Sequence, residues 1–299
     1  MRLIDVTKTF GTHAAVRDLN LEVPAGSIYG FIGPNGSGKT TTIRMILHIF
    51  LPDSGKIEVL GTTGTRAAND QIGYLPEERG LYKKMTVERV LSYYAALKGL
   101  PSSQSRDQID QWLARLELSP WRGKKVEALS KGMAQKIQFI AAVLARPKLL
   151  ILDEPFSGLD PVNLEVLRAA ILHLRQEGTT IIFSTHDMSV AEKMCDFIFM
   201  IYKGRKVLDG TLQSIQSTHG SETVRLRLRE TQCLSEIPGV TLLRDFGQIQ
   251  EVSFAGDAQG LLESLTRRTR VELFEITRSS LHDVFVRIAG PDQEGKRDE

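Results

Sequence analysis

The chain has 299 residues, more than one ordinary domain holds, and its apolar (41%) and charged (25%) fractions are those of a globular protein with a buried core. Its net charge of +2, from 38 basic and 36 acidic residues, gives no ground for nucleic acid or an anionic surface as the main partner. Two distant cysteines, Cys195 and Cys233, fit neither a disulfide framework nor a zinc site and point to a reducing compartment. The N-terminus lacks the apolar stretch of a signal peptide, and no window approaches the ~18 apolar residues of a membrane span, so any membrane role requires another chain.

In chain order, Leu3-Ile4-Asp5-Val6-Thr7 and Leu19-Asn20-Leu21-Glu22-Val23 alternate apolar and polar residues and predict half-buried strands, with a turn at Pro24-Ala25-Gly26. Ile28-Tyr29-Gly30-Phe31-Ile32 is a short apolar run and predicts a buried strand. A glycine loop follows over 33–40, and 40–50 reads as a helix ending before Pro52. Helical spacing dominates from about 86 to 145, carried by Val87, Val90, Leu91 and Tyr94, and then by Ile109, Trp112, Leu113 and Leu116. Lys148 to Leu152 predicts a second buried strand. Asp160 followed by Pro161 marks a helix start, with Leu164, Leu167, Ile171 and Leu174 on one face and Gly178 at the end. Thr180 to Phe183 is the next strand, and alternating strands and helices imply a mostly parallel sheet covered on both faces. After about 218 the texture changes. Strands are expected near 223–229, 240–245, 248–255 and 271–277, helices near 257–268 and 279–289, and a charged disordered tail from 291 to 299.

The loop Gly33-Pro34-Asn35-Gly36-Ser37-Gly38-Lys39-Thr40 has the spacing G-x-x-x-x-G-K-[ST] between a strand and a helix. Its glycines let backbone N–H groups turn towards phosphate oxygens, and the helix that follows adds its positive N-terminal end. Lys39 is expected to reach the terminal phosphates of ATP, and the Thr40 hydroxyl to ligate Mg²⁺. Thr41 belongs to the same phosphate-binding set. Asp153 and Glu154 leave an apolar strand where those phosphates sit; Asp153 would hold Mg²⁺, and Glu154 would polarise the attacking water. His186, in Ser184-Thr185-His186-Asp187, could hydrogen-bond the terminal phosphate. Leu129-Ser130-Lys131-Gly132-Met133 opens a helix, with Ser130 as its N-cap and Gly132 permitting close approach of another molecule's phosphate.

These residues resemble the ATP-binding cassette family over about 1–215. The resemblance implies a P-loop NTPase domain over 1–217, with a mostly parallel core sheet, an antiparallel N-terminal β-subdomain and a helical insertion at about 86–145. A small C-terminal α+β domain over 218–290 would follow. It implies that Ser130 and Gly132 act in trans, on ATP held by the P-loop of a second copy. Gly158-Leu159-Asp160 matches the D-loop, His186 the switch histidine, and Phe10 the aromatic that stacks on adenine. Two positions depart from the pattern. Lys131 and Met133 replace glycine and glutamine of the signature. Glu77, after Gly73-Tyr74-Leu75-Pro76, replaces a glutamine that would bind Mg²⁺ or water, and adds negative charge beside the triphosphate. The stretch from Gly73 to Tyr82, the L-S-K-G form and Ser279 to Phe285 are similar to the bacterial sodium-exporter-type branch.

The implied function is ATP hydrolysis coupled to transport, by analogy export, in a nucleotide-sandwich dimer that drives separate permease subunits docked on Glu77 to about Lys98 at the cytoplasmic face of a membrane, with no nucleic acid expected. A second reading, a soluble ATPase of the same family acting on RNA or ribosomes, rests on the basic runs 223–229 and Arg267-Arg268-Thr269-Arg270. A third, a regulator with a ligand-sensing C-terminal domain, rests on the change of texture near 218.

Overall fold

The computed structural model describes residues 1–63, 70–78, 80–219, 222–229, 234, 236–254 and 256–289. Cys233 and the stretch 291–299, expected to be a disordered tail, lie outside the described residues. The chain divides into two compact units, Met1–Gly210 and Thr211–Glu299.

In the first unit, β1 (Arg2–Phe10) and β2 (His13–Glu22) pair antiparallel across a tight turn at Gly11 and Thr12. Their buried residues, Leu3, Val6, Val16, Leu19 and Leu21, enter one core although Leu3 and Val6, like Val16 and Leu19, are three apart: register irregularities, with Asp5 at φ +49 and Asp18 at φ +48, offset the period-2 alternation. With β4 (Ser54–Val59) and β5 (Thr62–Thr63) they form a sheet in the order β2-β1-β4-β5.

The central sheet contains β3 (Ile28–Ile32), β6 (Ile72–Leu75), β7 (Leu149–Asp153), β8 (Thr180–Thr185), β9 (Phe197–Tyr202) and β10 (Arg205–Gly210), in the order β10-β9-β3-β8-β7-β6. Every neighbouring pair is parallel except β9 with β10. Side chains alternate between two cores. Tyr29, Phe31, Ile151 and Phe199 pack with α1 (Lys39–Ile46) and the antiparallel sheet. Ile28, Leu150, Leu152 and Phe183 pack with α2 (Val87–Leu97), α3 (Ser102–Arg115), α4 (Lys131–Val143) and α5 (Pro161–Gln176). Full burial of each such side chain contributes about 1.5–3 kcal/mol, which explains why these strands read as unbroken apolar runs.

Two local features differ from or sharpen the sequence expectation. α1 ends at Ile46 rather than near residue 50. His48 adopts φ +54, and the Ile49 and Phe50 amides both bond back to the Arg44 carbonyl, 2.9 and 3.2 Å away. The chain thereby reverses, and Phe50 meets Phe10 edge-on at 5.5 Å. At α5, Asp160 is the N-cap and accepts the Asn163 amide at 3.0 Å, while Gly178 leaves the helix with φ +90.

The strand order decides where chemistry can occur. β3 lies directly beside β8, with Ile32 opposite Thr185, and β8 beside β7, with Ser184 opposite Asp153. The loops after β3, β7 and β8 therefore leave the same edge, where open parallel sheets bind ligands. After β8, α6 (Met188–Met194) starts at Asp187, whose carboxylate caps Ser189 and Val190.

The second unit contains α7 (Leu212–His219), β11 (Glu222–Leu228), β12 (Val240–Asp245), β13 (Gln250–Phe254), α8 (Ala258–Thr266), β14 (Val271–Arg278) and α9 (Leu281–Ala289). Its antiparallel sheet runs β12-β13-β11-β14. Val224, Leu226 and Leu228 face Leu261 and Leu265 of α8. The side chain of Gln216 in α7 donates to the Ser279 carbonyl at 3.0 Å, so α7 groups with this unit although sequence texture changes only after 217. Two of the basic residues behind the RNA reading meet carboxylates: Arg225 lies 3.3 and 3.7 Å from Glu251 and Glu275, and Arg268 lies 3.3 Å from Glu236. No helix among the described residues is long and apolar enough to cross a membrane.

Candidate nucleotide site

The glycine loop joins β3 to α1. A Cβ at Gly33 (φ +156) would lie 2.2 Å from the Ile201 carbonyl oxygen, and one at Gly38 (φ +111) would lie 2.6 Å from that of Ala15. Close backbone approach therefore demands both glycines. Gly36 has open space around it, and its φ of +78 is the constraint there. Lys39 is only 6% exposed, and its Nζ donates to the Gly33 and Pro34 carbonyls at 2.7 and 3.2 Å. Burial lowers the Lys39 pKa, and the opposing charges of Glu154, Asp153 and Glu77 hold it up. The Ser37 hydroxyl is buried in this cradle with no hydrogen-bond partner, a donor left for an added oxygen.

At the end of β7, Asp153 is 2% and Glu154 8% exposed. Asp153 accepts a hydrogen bond from the Ser184 hydroxyl. The Glu154 amide donates to both the Ser184 carbonyl and its hydroxyl, each at 3.2 Å. Glu154 itself stands at φ +49, a left-handed conformation that a residue with a Cβ rarely adopts and that clusters at functional sites. Its Oε1 lies 3.0 Å from Nδ1 of His186, whose side chain is 58% exposed. A buried carboxylate thus reaches outward through an exposed imidazole. The register of Ser184 opposite Asp153 gives it a role that its sequence motif alone does not indicate.

A cavity of about 400 Å³ collects most of the expected residues. Asn35, Gly36, Gly38, Lys39, Thr40 and Thr41 form one wall, and Glu77, Asp153 and Glu154 another. Phe10 closes the end together with His13 and Ala15, two residues that sequence reasoning did not single out. Phe10 is 45% exposed, with the Lys8 ammonium over its ring 5.6 Å from the centroid. Gly33, Pro34 and Ser37 complete the loop behind the wall.

Ser130, Gly132 and Asp160 are absent from that lining. Ser130 caps α4, accepting the Met133 amide at 3.2 Å, and Gly132 sits against Leu159 of the loop between β7 and α5. Two glutamines on α4 connect it to the site. Gln135 Nε2 donates to the Pro155 carbonyl at 2.5 Å, and Gln138 Nε2 to the Glu78 carbonyl at 3.1 Å. A larger cavity, about 520 Å³, lies elsewhere, lined by residues at the C-terminal ends of α3, α4 and α5. Its Arg115, Arg146, Lys148 and His173 answer the negative helix ends that converge there, which accounts for them structurally.

The family description "ABC transporter" matches residues 16–157, and "ATP-binding protein DrrA1-3-like, C-terminal domain" matches 210–289. The chain is 40% identical over 288 residues to the uncharacterized ABC transporter ATP-binding protein YhaQ of Bacillus subtilis (strain 168), covering 95% of this chain and 97% of that protein. The chain belongs to the ABC transporter ATP-binding proteins. It is also 32% identical to the Nod factor export ATP-binding protein I of Rhizobium sp. (strain N33), over 98% of this chain and 97% of that one. A solved ATP-binding subunit of an ABC transporter superposes with a TM-score of 0.68 at 31% identity, over 73% of this chain and 92% of that one. As an ABC subunit the chain binds and hydrolyses ATP. None of these relatives' names refers to sodium, so the sodium-exporter likeness is not carried further by them.

Proposed function

We propose that this ABC subunit powers export, with two copies closing over two ATP molecules at the cytoplasmic face of the membrane and driving separate permease chains. The Glu154–His186 contact beside Lys39 and Asp153 carries the reading. Lys39 neutralises the terminal phosphates. Glu154 accepts a proton from the attacking water, and His186 orients that carboxylate and the terminal phosphate. Phe10 stacks on the adenine.

The carboxylate and hydroxyl oxygens of Asp153, Thr40 and Glu77 suit a hard divalent cation. When bound, Mg²⁺ supplies charge neutralisation on the phosphates.

Ser130, Gly132 and Asp160 serve the nucleotide of the facing copy, which suits their position outside their own chain's cavity. The permease docks on the segment from Glu77 to about Lys98. An apolar cavity of about 410 Å³ there is walled by Ile49, Tyr74, Leu81, Tyr94 and Leu97. Its lining includes Gln138, which holds the Glu78 carbonyl, so docking and Glu77 share one structural link. Export follows the printed name of the Nod factor relative and the sodium-exporter likeness; neither identifies a cargo.

Purification from detergent-solubilised membranes tests the partnership. A stoichiometric membrane-spanning chain should accompany the protein and be lost after substitutions at Tyr94 and Leu97. Recovery of the protein free of any membrane chain, but with RNA released by salt, would favour the soluble alternative.

A further inference from the structure

Two departures from the family pattern carry opposite charges, and the fold separates them. Glu77 lines the nucleotide cavity with Asp153 and Glu154, so three carboxylates face one buried ammonium, that of Lys39. A triphosphate entering this cavity meets an unfavourable field at Glu77 that an uncharged glutamine would not create.

Lys131, the added cation, is exposed at the first turn of α4, and no carboxylate pairs with it among the described residues. Its side chain runs beside Gly158. A Cβ built there would lie 3.4, 3.7 and 4.0 Å from its Nζ, Cε and Cδ. It does not line its own chain's nucleotide cavity. The ammonium lies against Gly158, as Gly132 lies against Leu159, so Lys131 belongs with exposed Ser130 and the 158–160 loop to the surface proposed to meet the facing copy.

We propose that Glu77 and Lys131 form a charge-compensating pair across the two-copy site: Lys131 of one copy offsets Glu77 of the other beside the same triphosphate. The inference rests on the two-copy reading. It accounts for an excess carboxylate and an excess ammonium in one sequence: the two added formal charges cancel at each composite site. It makes Lys131 a positioning residue that tunes nucleotide-driven closure.

The test is a double-mutant cycle in the slow Glu154→Gln background, reading the ATP concentration at half-maximal dimer by light scattering. At low salt, Lys131→Gly should raise that concentration about tenfold, whereas the same change in a Glu77→Gln chain should raise it much less. High salt should shrink the difference, and Lys131→Arg should behave as the parent, separating charge from packing on Gly158. Equal shifts in both backgrounds, or none in either, would overturn the pair while leaving the dimer reading intact. A parent that never dimerises with ATP would overturn the two-copy reading and the pair with it.

Discussion

Replacing Gly33 with alanine tests whether backbone crowding, rather than flexibility, selects glycine in the phosphate loop. The new Cβ would stand 2.2 Å from the Ile201 carbonyl oxygen and 2.8 Å from the Ser37 hydroxyl, where ordinary contact begins at 3.4 Å. The carbonyl belongs to β9, the direct neighbour of β3, so relief requires more than 1 Å of movement between paired strands. Overpacking of this kind costs about 1–3 kcal/mol, and the left-handed backbone adds about 1–2 kcal/mol. Gly33→Ala should therefore lose about 2–5 kcal/mol, a large part of the ~5–15 kcal/mol that holds a domain folded. Gly36→Ala meets nothing within 4 Å, so only the backbone term of about 1–2 kcal/mol applies. Urea unfolding of both variants measures the contrast. Equal destabilisation, or a larger loss at Gly36, would refute the crowding argument.

Ser184→Ala removes the hydroxyl shared by Asp153 and the Glu154 amide, leaving a buried carboxylate underbonded; a loss of about 1–3 kcal/mol in chemical denaturation and a fall in kcat are expected. A variant with unchanged stability and turnover would deny Ser184 its positioning role. At the start of α5, the Asn163 backbone N–H, and then its side chain, hold the Asp160 carboxyl below its ordinary value of 3.8. The folded-state value is the lower one, so the cap's charge-dependent contribution is present above pH 3.8 and fades as pH falls through the folded value. Asp160→Ser, a cap that does not titrate, should narrow its stability gap from the parent on acidification. A gap independent of pH would contradict this.

Much of the fold was legible because its signals are local. The apolar runs at 28–32 and 149–152, and the Asp160-Pro161 helix start, require no knowledge of distant neighbours. The same holds for the alternation of Val224, Leu226 and Leu228. What escaped depends on contacts far apart in sequence. α1 stops early because the Arg44 carbonyl draws the chain back and Phe50 meets Phe10. α7 follows the second unit through Gln216 and Ser279. At the site, the spacing of the glycine loop and the Asp153-Glu154 pair was readable. Ser184 and His13 were not assigned, since strand register and a hairpin turn bring them in. The roles of Gln135 and Gln138 likewise arise only when α4 lies against the loops after β7 and β6.

The central claim is that one copy of this chain holds half of a composite ATP site whose catalytic carboxylate is Glu154. Glu154→Gln measures it most directly, by turnover and by mass in solution with and without ATP. The account predicts ATP binding retained, hydrolysis slowed by at least about a hundredfold, and a dimer that forms only with ATP. Turnover at the rate of the unaltered protein, or a monomer at saturating ATP, would contradict it.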